Sequence, residues 1–278
     1  MHRLKVSAVV VLYNPDNKVL ENIKTYSNKF SHIYLVDNSS KNNKNFFLDL
    51  KCNFDYIPLY KNYGIAKALN TGFTMSIKDG FNYTVSMDQD SSLGTDIVKV
   101  YSEFLMENDM ENVAALTPQY ATHRNNVSNI TGSEKVLLSM QSGTMFVIDK
   151  YKKLGSFNEQ LFLDCVDWEY FLRISENGYQ TIQCNGAILD HNPASTMTLK
   201  IGDIVLLNYG IASPVRYYYQ VRNLTWLIRK YKKLPTVINL FIKYIKVIVL
   251  FDDKGKYLTL CHKAFKDGIN NRLGKYSE

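Results

Sequence analysis

Asp88-Gln89-Asp90 places two carboxylates at i and i+2, after a strand-like apolar run and before the small-residue turn Ser91-Ser92. Carboxylates so spaced in a loop can converge on Mg²⁺ or Mn²⁺, hard cations that take oxygen ligands and bridge to substrate phosphates. A cation held there would neutralise charge building on a departing diphosphate. The same D-x-D pattern also arises by chance in surface loops. His191, which follows the apolar run 187–189 and precedes Asn192-Pro193, is a candidate third ligand. A structural role is its alternative.

Three further groups could act with this pair. Asp37 ends an apolar run and could accept a hydrogen bond from the imide N–H of uracil or thymine, or simply serve a turn or cap. Asn62-Tyr63-Gly64 and Lys67 stand where a helix opens, a place whose free N–H groups and dipole suit anions and polar ligands. Asp164, Asp167 and Glu169 lie in FLDCVDWEYFLR (162–173), where another helix begins. A carboxylate at a helix N-terminus is stabilised as the anion, so it suits a general base only if burial or neighbouring acids counter that effect. Capping, with Asp167 as the N-cap, is the alternative.

The elements that must position these groups are legible as patterns. Residues 6–13, 33–36, 55–59 and 83–87 read as strands, and residues 16–29 and 64–79 read as helices between them. That alternation implies right-handed crossovers and a mainly parallel sheet, in which ligands bind beyond the carboxyl ends of the strands. The polar clusters 14–16, 37–40 and 88–92 fall at those ends and should line one crevice. From about residue 113 the pattern becomes mixed short strands at 113–117, 145–148 and 181–189, interrupted by a helix over 168–177 that stops at Gly178. Residues 215–233 form an aromatic and basic helix, and Pro235 starts another that runs to residue 251. The segment 41–45 (KNNKN) reads as a polar loop.

The 278 residues suffice for one large α/β domain with an appendage, and 46% hydrophobic with 21% charged residues excludes a disordered chain. The net charge of +7 is concentrated in residues 226–278, where twelve Lys or Arg face four Asp or Glu, a balance of +8; the rest carries −1. Such a tail suggests an anionic partner (membrane lipid, a lipid-linked diphosphate or nucleic acid) or a merely solubilising surface. Cys52, Cys165, Cys184 and Cys261 contain no CxxC pair, which argues against a zinc site or disulfide framework and fits a reducing cytosol. The N-terminus shows no signal-peptide pattern, and no uncharged apolar run is long enough to span a membrane. Residues 234–251 are strongly apolar but contain Lys243 and Lys246. They read as an interfacial helix whose lysines snorkel, or as a helix packed on the domain or in a dimer interface.

VVVLYNP (9–15), YLVDNSS (34–40), NYGIAKALNTGF (62–73), SMDQDSS (86–92), MQSGTMFVI (140–148), FLDCVDWEYFLR (162–173), DHNPAS (190–195) and SPVRYYYQVRN (213–223) occur in this order. Together they resemble the family-2 glycosyltransferases, and within them the bacterial rhamnosyltransferase-like branch. AFKDGINNRLGK (264–275) resembles a C-terminal extension of that branch. The resemblance implies an α/β GT-A fold with a C-terminal helical extension and an inverting single displacement. It implies a catalytic domain over 1–225, with a nucleotide-binding half 1–112 and an acceptor half 113–225, followed by the tail 226–278.

The resemblance also assigns roles. Asp37 would read the pyrimidine, Tyr13 and Asn14 would flank the nucleotide, and Asn62, Lys67 and Gln89 would lie nearby. Asp88, Asp90 and His191 would hold Mg²⁺ or Mn²⁺ on the diphosphate. Asp167 would be the base; the neighbour that is usually acidic in the family is Val166 here, and Asp164 is the substitute candidate. Gln141, Ser142 and Gly143 would line the junction of donor and acceptor. Trp168 would stack on an acceptor ring or belong to the core, and Arg216 and Arg222 would meet an acceptor phosphate or pair with buried carboxylates. The expected donor is dTDP-rhamnose, with UDP-hexoses or UDP-galactofuranose as alternatives. The expected acceptor is a lipid-linked saccharide of a cell-surface polysaccharide such as O-antigen or capsule, reached from the cytoplasmic face of the membrane. A nucleotidyltransferase would want a Gly-rich loop where Tyr13-Asn14-Pro15-Asp16 stands. A lipid- or nucleic-acid-binding module would leave the acidic strand ends unexplained, since they repel phosphates without a metal.

Overall fold

The run VSAVVVL forms β1 (Val6–Leu12), and all of its residues are buried. A strand covered on both faces reads as a continuous apolar run rather than an alternating one. The computed structural model describes residues 4–122, 127, 131–191, 196–201 and 204–277. Asp16 caps α1 (Asn17–Lys24) by accepting the Val19 N–H. That helix is shorter than the expected 16–29, because the Thr25 hydroxyl turns back onto the Asn22 carbonyl at its end. β2 (His32–Asp37) and β3 (Phe54–Pro58) follow, and α2 (Ile65–Lys78) returns the chain to β4 (Tyr83–Asp88). The four strands lie in the order β3-β2-β1-β4, all parallel, within a residue of the ranges read from sequence.

The sheet then becomes mixed. β5 (Ser91–Leu93), α3 (Ile97–Glu107), β6 (Val113–Ala121), β7 (Ser133–Val136), β8 (Met145–Val147), α4 (Ile148–Leu154), α5 (Val166–Glu176) and β9 (Gln180–His191) complete it. β8 runs antiparallel to β4 and β6, β6 is parallel to β9, and β5 and β7 are antiparallel to β9. An antiparallel hairpin, β10 (Thr196–Ile201) with β11 (Ile204–Gly210), precedes α6 (Pro214–Tyr231), α7 (Leu234–Leu250) and α8 (Lys254–Ile269). The hairpin, α3 and α4 were not expected. α3 opens with IVKV, a strand-like run; its helical signal is Asp96, which caps it by accepting the Lys99 N–H.

Backbone contacts divide the chain into two compact units, Met1–Phe157 with Tyr170–Asn192, and Asn158–Glu169 with Pro193–Glu278. The compositional boundary at 225/226 falls inside α6.

In the first unit, alternate β1 residues and their β2 and β4 neighbours pack on α1 and α3 through Val19, Ile23, Ile97 and Tyr101. The opposite face carries an aromatic cluster in which Phe73 of α2 meets Phe146, Tyr151 and Phe157. α2 approaches β1 so closely that a Cβ at Gly72 would overlap the Val9 side chain. Ser7, Ser76 and Thr84 satisfy one another's buried hydroxyls at this contact. In the second unit, Tyr217 and Val221 of α6 pack with Val247 of α7 and with Tyr257 and Cys261 of α8.

Replacing an exposed helical glycine by alanine stabilises by roughly 0.5–1 kcal/mol. Gly72→Ala is expected to do the reverse and to cost about 1–3 kcal/mol, because the added methyl overpacks Val9. Urea unfolding checks this, and an equal or higher midpoint for the variant would contradict it.

Candidate active site

The β-sheet register aligns the expected polar clusters. Leu12 pairs with Asp37 and Val11 with Asp88, so the carboxyl ends of β1, β2 and β4 are level. Two strand spacings set the Asp37 and Asp88 backbones about 10 Å apart. Their loops are cross-linked. Gln89 Oε1 accepts the Tyr13 N–H at 2.7 Å, and its Nε2 donates to the Tyr13 carbonyl at 3.1 Å. The Asn14 N–H donates to Ser39 Oγ at 2.7 Å, with Asn14 in the left-handed region (φ 47°), which asparagine tolerates. Asn38 donates to Asn62 Oδ1 and accepts the Tyr63 N–H. Asn62 Oδ1 also takes the Gly64 N–H at the start of α2, whose first turn carries Lys67. Gln89 therefore acts as a strap between β4 and β1, while the Tyr13 ring stays exposed.

Asp37 is fully buried and accepts four hydrogen bonds. The Ser39 N–H and hydroxyl donate to Oδ1; Asn43 Nδ2 and the Tyr56 hydroxyl donate to Oδ2. Tyr56 and Asn43, the latter from the polar loop 41–45, belong to this site, and local pattern hinted at neither beyond loop composition.

The segment 141–144 runs alongside the end of β4. Gly143 N–H donates to the Ser86 carbonyl, Ser86 N–H donates to the Thr144 carbonyl, and Ser86 Oγ donates to the Gln141 carbonyl. This contact sets Gln141 Nε2 2.5 Å from Asp88 Oδ1, and Ser142 Oγ where it accepts the Asp88 N–H at 2.9 Å. Gly143 has φ 75°, and a Cβ there would press on Pro118 and Leu189. Its glycine identity thus follows from backbone geometry and close packing. Of the three residues expected at a donor–acceptor junction, Gln141 and Ser142 bond Asp88, and Gly143 bonds the neighbouring Ser86.

β5 and β9 bring in His191, the candidate third ligand. Ser91 pairs with His191 in the ladder, and His191 Nδ1 lies 2.9 Å from Ser91 Oγ and 3.5 Å from Asp90 Oδ1. Ser91 Oγ is also 2.9 Å from Ser142 Oγ. One ligand-type atom each from Asp88, Asp90 and His191 lies within 4.8 Å of the others. Two carboxylates and an imidazole suit Mg²⁺ or Mn²⁺. Gln141 Oε1, on the amide that holds Asp88, is buried with no hydrogen-bond partner, a spare hard oxygen beside this set. Ser91 Oγ and His191 Nδ1 share a hydrogen bond that orients the imidazole beside Asp90. Residues 192–195 of DHNPAS lie outside the described residues.

The second unit contains the other expected residues. Phe162, Asp164 and Cys165 all adopt positive φ (62°, 59° and 59°), strain of order 1 kcal/mol or more each that surrounding bonds must hold. Asn223 Nδ2 contacts the carbonyls of Leu161, Leu163 and Asp164, and Arg216 pairs with the Asp164 carboxylate at 3.2 Å. Arg222 is 1% exposed. Its guanidinium donates to the Leu161 and Gly274 carbonyls and to Asn223, and packs on the Tyr218 and Tyr219 rings. Arg222 is thus a buried partner of backbone carbonyls and of the Asn223 amide rather than of carboxylates. α5 begins at Val166, so Asp167 sits inside its first turn rather than at the N-cap, with Oδ1 accepting the Trp168 N–H at 2.8 Å. Glu169 is fully buried and held by Tyr231 and Lys230. Trp168 is half-buried.

Outer partners that fix a ligand histidine's tautomer typically contribute 10–100-fold in metal affinity. Ser91→Ala is therefore expected to weaken Mn²⁺ binding by about tenfold, read by electron paramagnetic resonance titration of the free ion. Unchanged affinity would remove Ser91 from this role.

Residues 7–160 match the family described as glycosyl transferase family 2. The chain is 30% identical to the dTDP-rhamnosyl transferase RfbF of Shigella flexneri, over 97% of each chain. Among solved structures it is similar to S. aureus TarS 1-349 in complex with UDP-GlcNAc, with a TM-score of 0.62 at 12% identity over 97% of this chain and 82% of that one. It is also similar to GalNAc-T7 with UDP, GalNAc and Mn²⁺, with a TM-score of 0.59 at 11% identity over 97% of this chain and 56% of that one. At such identities the likeness speaks for the GT-A fold alone. The family match covers the strands that end at Asp37 and Asp88 and the turn that carries Asp90, the relative extends the similarity to nearly the whole length, and the chain belongs to glycosyl transferase family 2.

Proposed function

We propose that this glycosyltransferase moves L-rhamnose from dTDP-rhamnose to a hydroxyl of a saccharide acceptor in one inverting displacement. The observation that carries the donor assignment is the end-to-end similarity to the S. flexneri dTDP-rhamnosyl transferase. The acceptor oxygen attacks the anomeric carbon from the side opposite the nucleoside diphosphate. The new glycosidic bond forms as the bond to the diphosphate breaks, and the hydroxyl proton passes to Asp167. One base, with no protein nucleophile, gives a single step and inversion.

Mg²⁺ or Mn²⁺ bound by Asp88, Asp90 and His191 would supply the positive charge that stabilises the departing diphosphate. Gln141 and Ser142 keep Asp88 in place for that task, and Ser91 orients His191. Asn62 and Lys67, at the opening of α2, favour the anionic part of the donor. Asp37 takes the thymine imide N–H by exchanging one of its present donors, Asn43 or Tyr56, since both of its oxygens already accept two bonds. In this reading Trp168 is the platform for an acceptor ring, and Arg216, paired with Asp164, is the remaining candidate for an acceptor phosphate. The acceptor is carried on a membrane lipid, and the basic C-terminal region meets the inner face of the cell membrane.

A thermal-stability screen of nucleotide-sugars with Mn²⁺ tests the donor. A ligand at about a hundred times its Kd stabilises the folded state by about 2.7 kcal/mol. dTDP-rhamnose is expected to raise the melting temperature more than UDP-hexoses or UDP-galactofuranose; a larger shift with a UDP-sugar would overturn the assignment. Asp167→Asn is expected to keep the donor-induced shift and to lose roughly 10²–10⁴-fold in transfer rate. Wild-type turnover in that variant would remove Asp167 as the base.

A further inference from the structure

α8 ends in a turn closed by the Arg272 N–H on the Asp267 carbonyl at 2.8 Å, with Asn271 at φ 57°. The Trp226 indole N–H donates to Asn271 Oδ1 at 2.6 Å. Gly274 then meets the segment that leads into α5. Its N–H donates to the Gln160 carbonyl at 2.6 Å, and its carbonyl accepts Arg222 Nη1 at 2.7 Å. The same guanidinium donates through Nη2 to the Leu161 carbonyl at 3.0 Å, so one buried side chain ties both segments together. Two residues on, the Tyr276 N–H donates to the Tyr219 hydroxyl at 2.7 Å, and the Tyr219 ring stacks on Phe162 with centroids 5.3 Å apart. α8 is seated against α6 at the same level, since a Cβ at Gly268 would lie 2.6 Å from the Arg222 carbonyl oxygen.

What this clasp holds is a strained loop. Phe162, Asp164 and Cys165 carry side chains at positive φ, a conformation that persists only where the surroundings over-determine it. Asn223, 0% exposed, bridges the loop from within by contacting the Leu161, Leu163 and Asp164 carbonyls, and its Oδ1 accepts Arg222 Nε at 2.9 Å. The Asp164 carboxylate takes Arg216 and Gln220 Nε2. Gln220 Oε1 in turn accepts Lys243 Nζ of α7 at 2.6 Å. The expectation that Lys243 snorkels outward is therefore corrected: it turns inward, where burial pulls its pKa below the ordinary lysine value. α5 starts directly after the loop, with the Glu169 N–H on the Cys165 carbonyl, and Asp167 is its second residue. The backbone path through Cys165 thus decides where the Asp167 carboxylate points. A proton acceptor must stand within hydrogen-bond reach of the reacting hydroxyl, and a misplacement of about 1 Å can cost roughly 10²-fold in rate.

We propose that Arg222 and Asn223, clasped by residues 271–276, are positioning residues that set Asp167 for proton abstraction. This rests on Asp167 as the base in the proposed reaction. A double-mutant cycle on the full chain tests it. Asn223→Ala opens the bridge from within. Gly274→Pro removes the N–H given to Gln160 and forbids the observed φ of 98°, acting from outside α6. Each is expected to lower kcat by about 10–100-fold. Each is also expected to leave the Kd of dTDP with Mn²⁺ within about twofold of wild type, because the proposed donor contacts lie in the first unit. Added to Asp167→Asn, either is expected to reduce the residual rate by less than about twofold, since nothing remains to be positioned.

Should Asn223→Ala fail to fold, Gly274→Pro carries the same test alone. Wild-type kcat in the single variants, or dTDP affinity that falls together with kcat, would overturn the positioning role. So would a full additive loss in the Asp167→Asn background, and that result would leave Asp167 standing as the base. Wild-type turnover in Asp167→Asn alone would overturn the base assignment and the positioning role with it.

Discussion

Asp88 and Asp90 carry like charge, and the site requires both within reach of one point. Left in a flexible loop they would separate, so the surrounding structure has to hold them. It does so from two directions. Gln141 and Ser142, carried on the segment that leads into β8, bind the carboxylate and the N–H of Asp88. β9, paired antiparallel to β5, brings His191 beside Asp90. The mixed half of the sheet thereby has a structural consequence: β8 and β9 supply the buttress of Asp88 and the candidate third ligand that a purely parallel sheet ending at β4 would lack. In the proposed reaction a divalent cation held here would relieve the repulsion, and the donor's diphosphate would complete the charge balance.

The parallel strands were legible because burial on both faces writes them as unbroken apolar runs with abrupt polar stops at Asn14-Pro15 and Asp37-Asn38. The same stops located Asp37, Asp88 and Asp90, and the end of a strand located His191. What sequence could not show is which side chains meet across long separations. Gln141 and Asp88 are 53 positions apart, and only the β4–β8 pairing puts them in contact. Local pattern also does not show that the Gln89 side chain bonds the Tyr13 backbone, 76 positions away.

Arg216 and Arg222 show a further limit. They share a motif and a residue type, yet six positions on a helix turn them to different faces. One remains half exposed on Asp164; the other is enclosed by carbonyls and tyrosine rings and holds the strained loop that leads into α5. Lys243 repeats the lesson, since its charge suggested solvent or headgroups and its helix face dictates the interior. In each case the geometry of one helix decides whether a cation stays exposed or supports the fold from within.

The proposed transfer depends most directly on a cation held by Asp88, Asp90 and His191 acting on the donor's diphosphate. Calorimetric titration of dTDP into the protein, with Mn²⁺ and then with EDTA in its place, measures that coupling. Tight binding with Mn²⁺ that falls by at least about tenfold in EDTA, and equally in Asp90→Asn with Mn²⁺ present, is the predicted result. Binding of dTDP that is equally tight in EDTA, or untouched by Asp90→Asn, would contradict it.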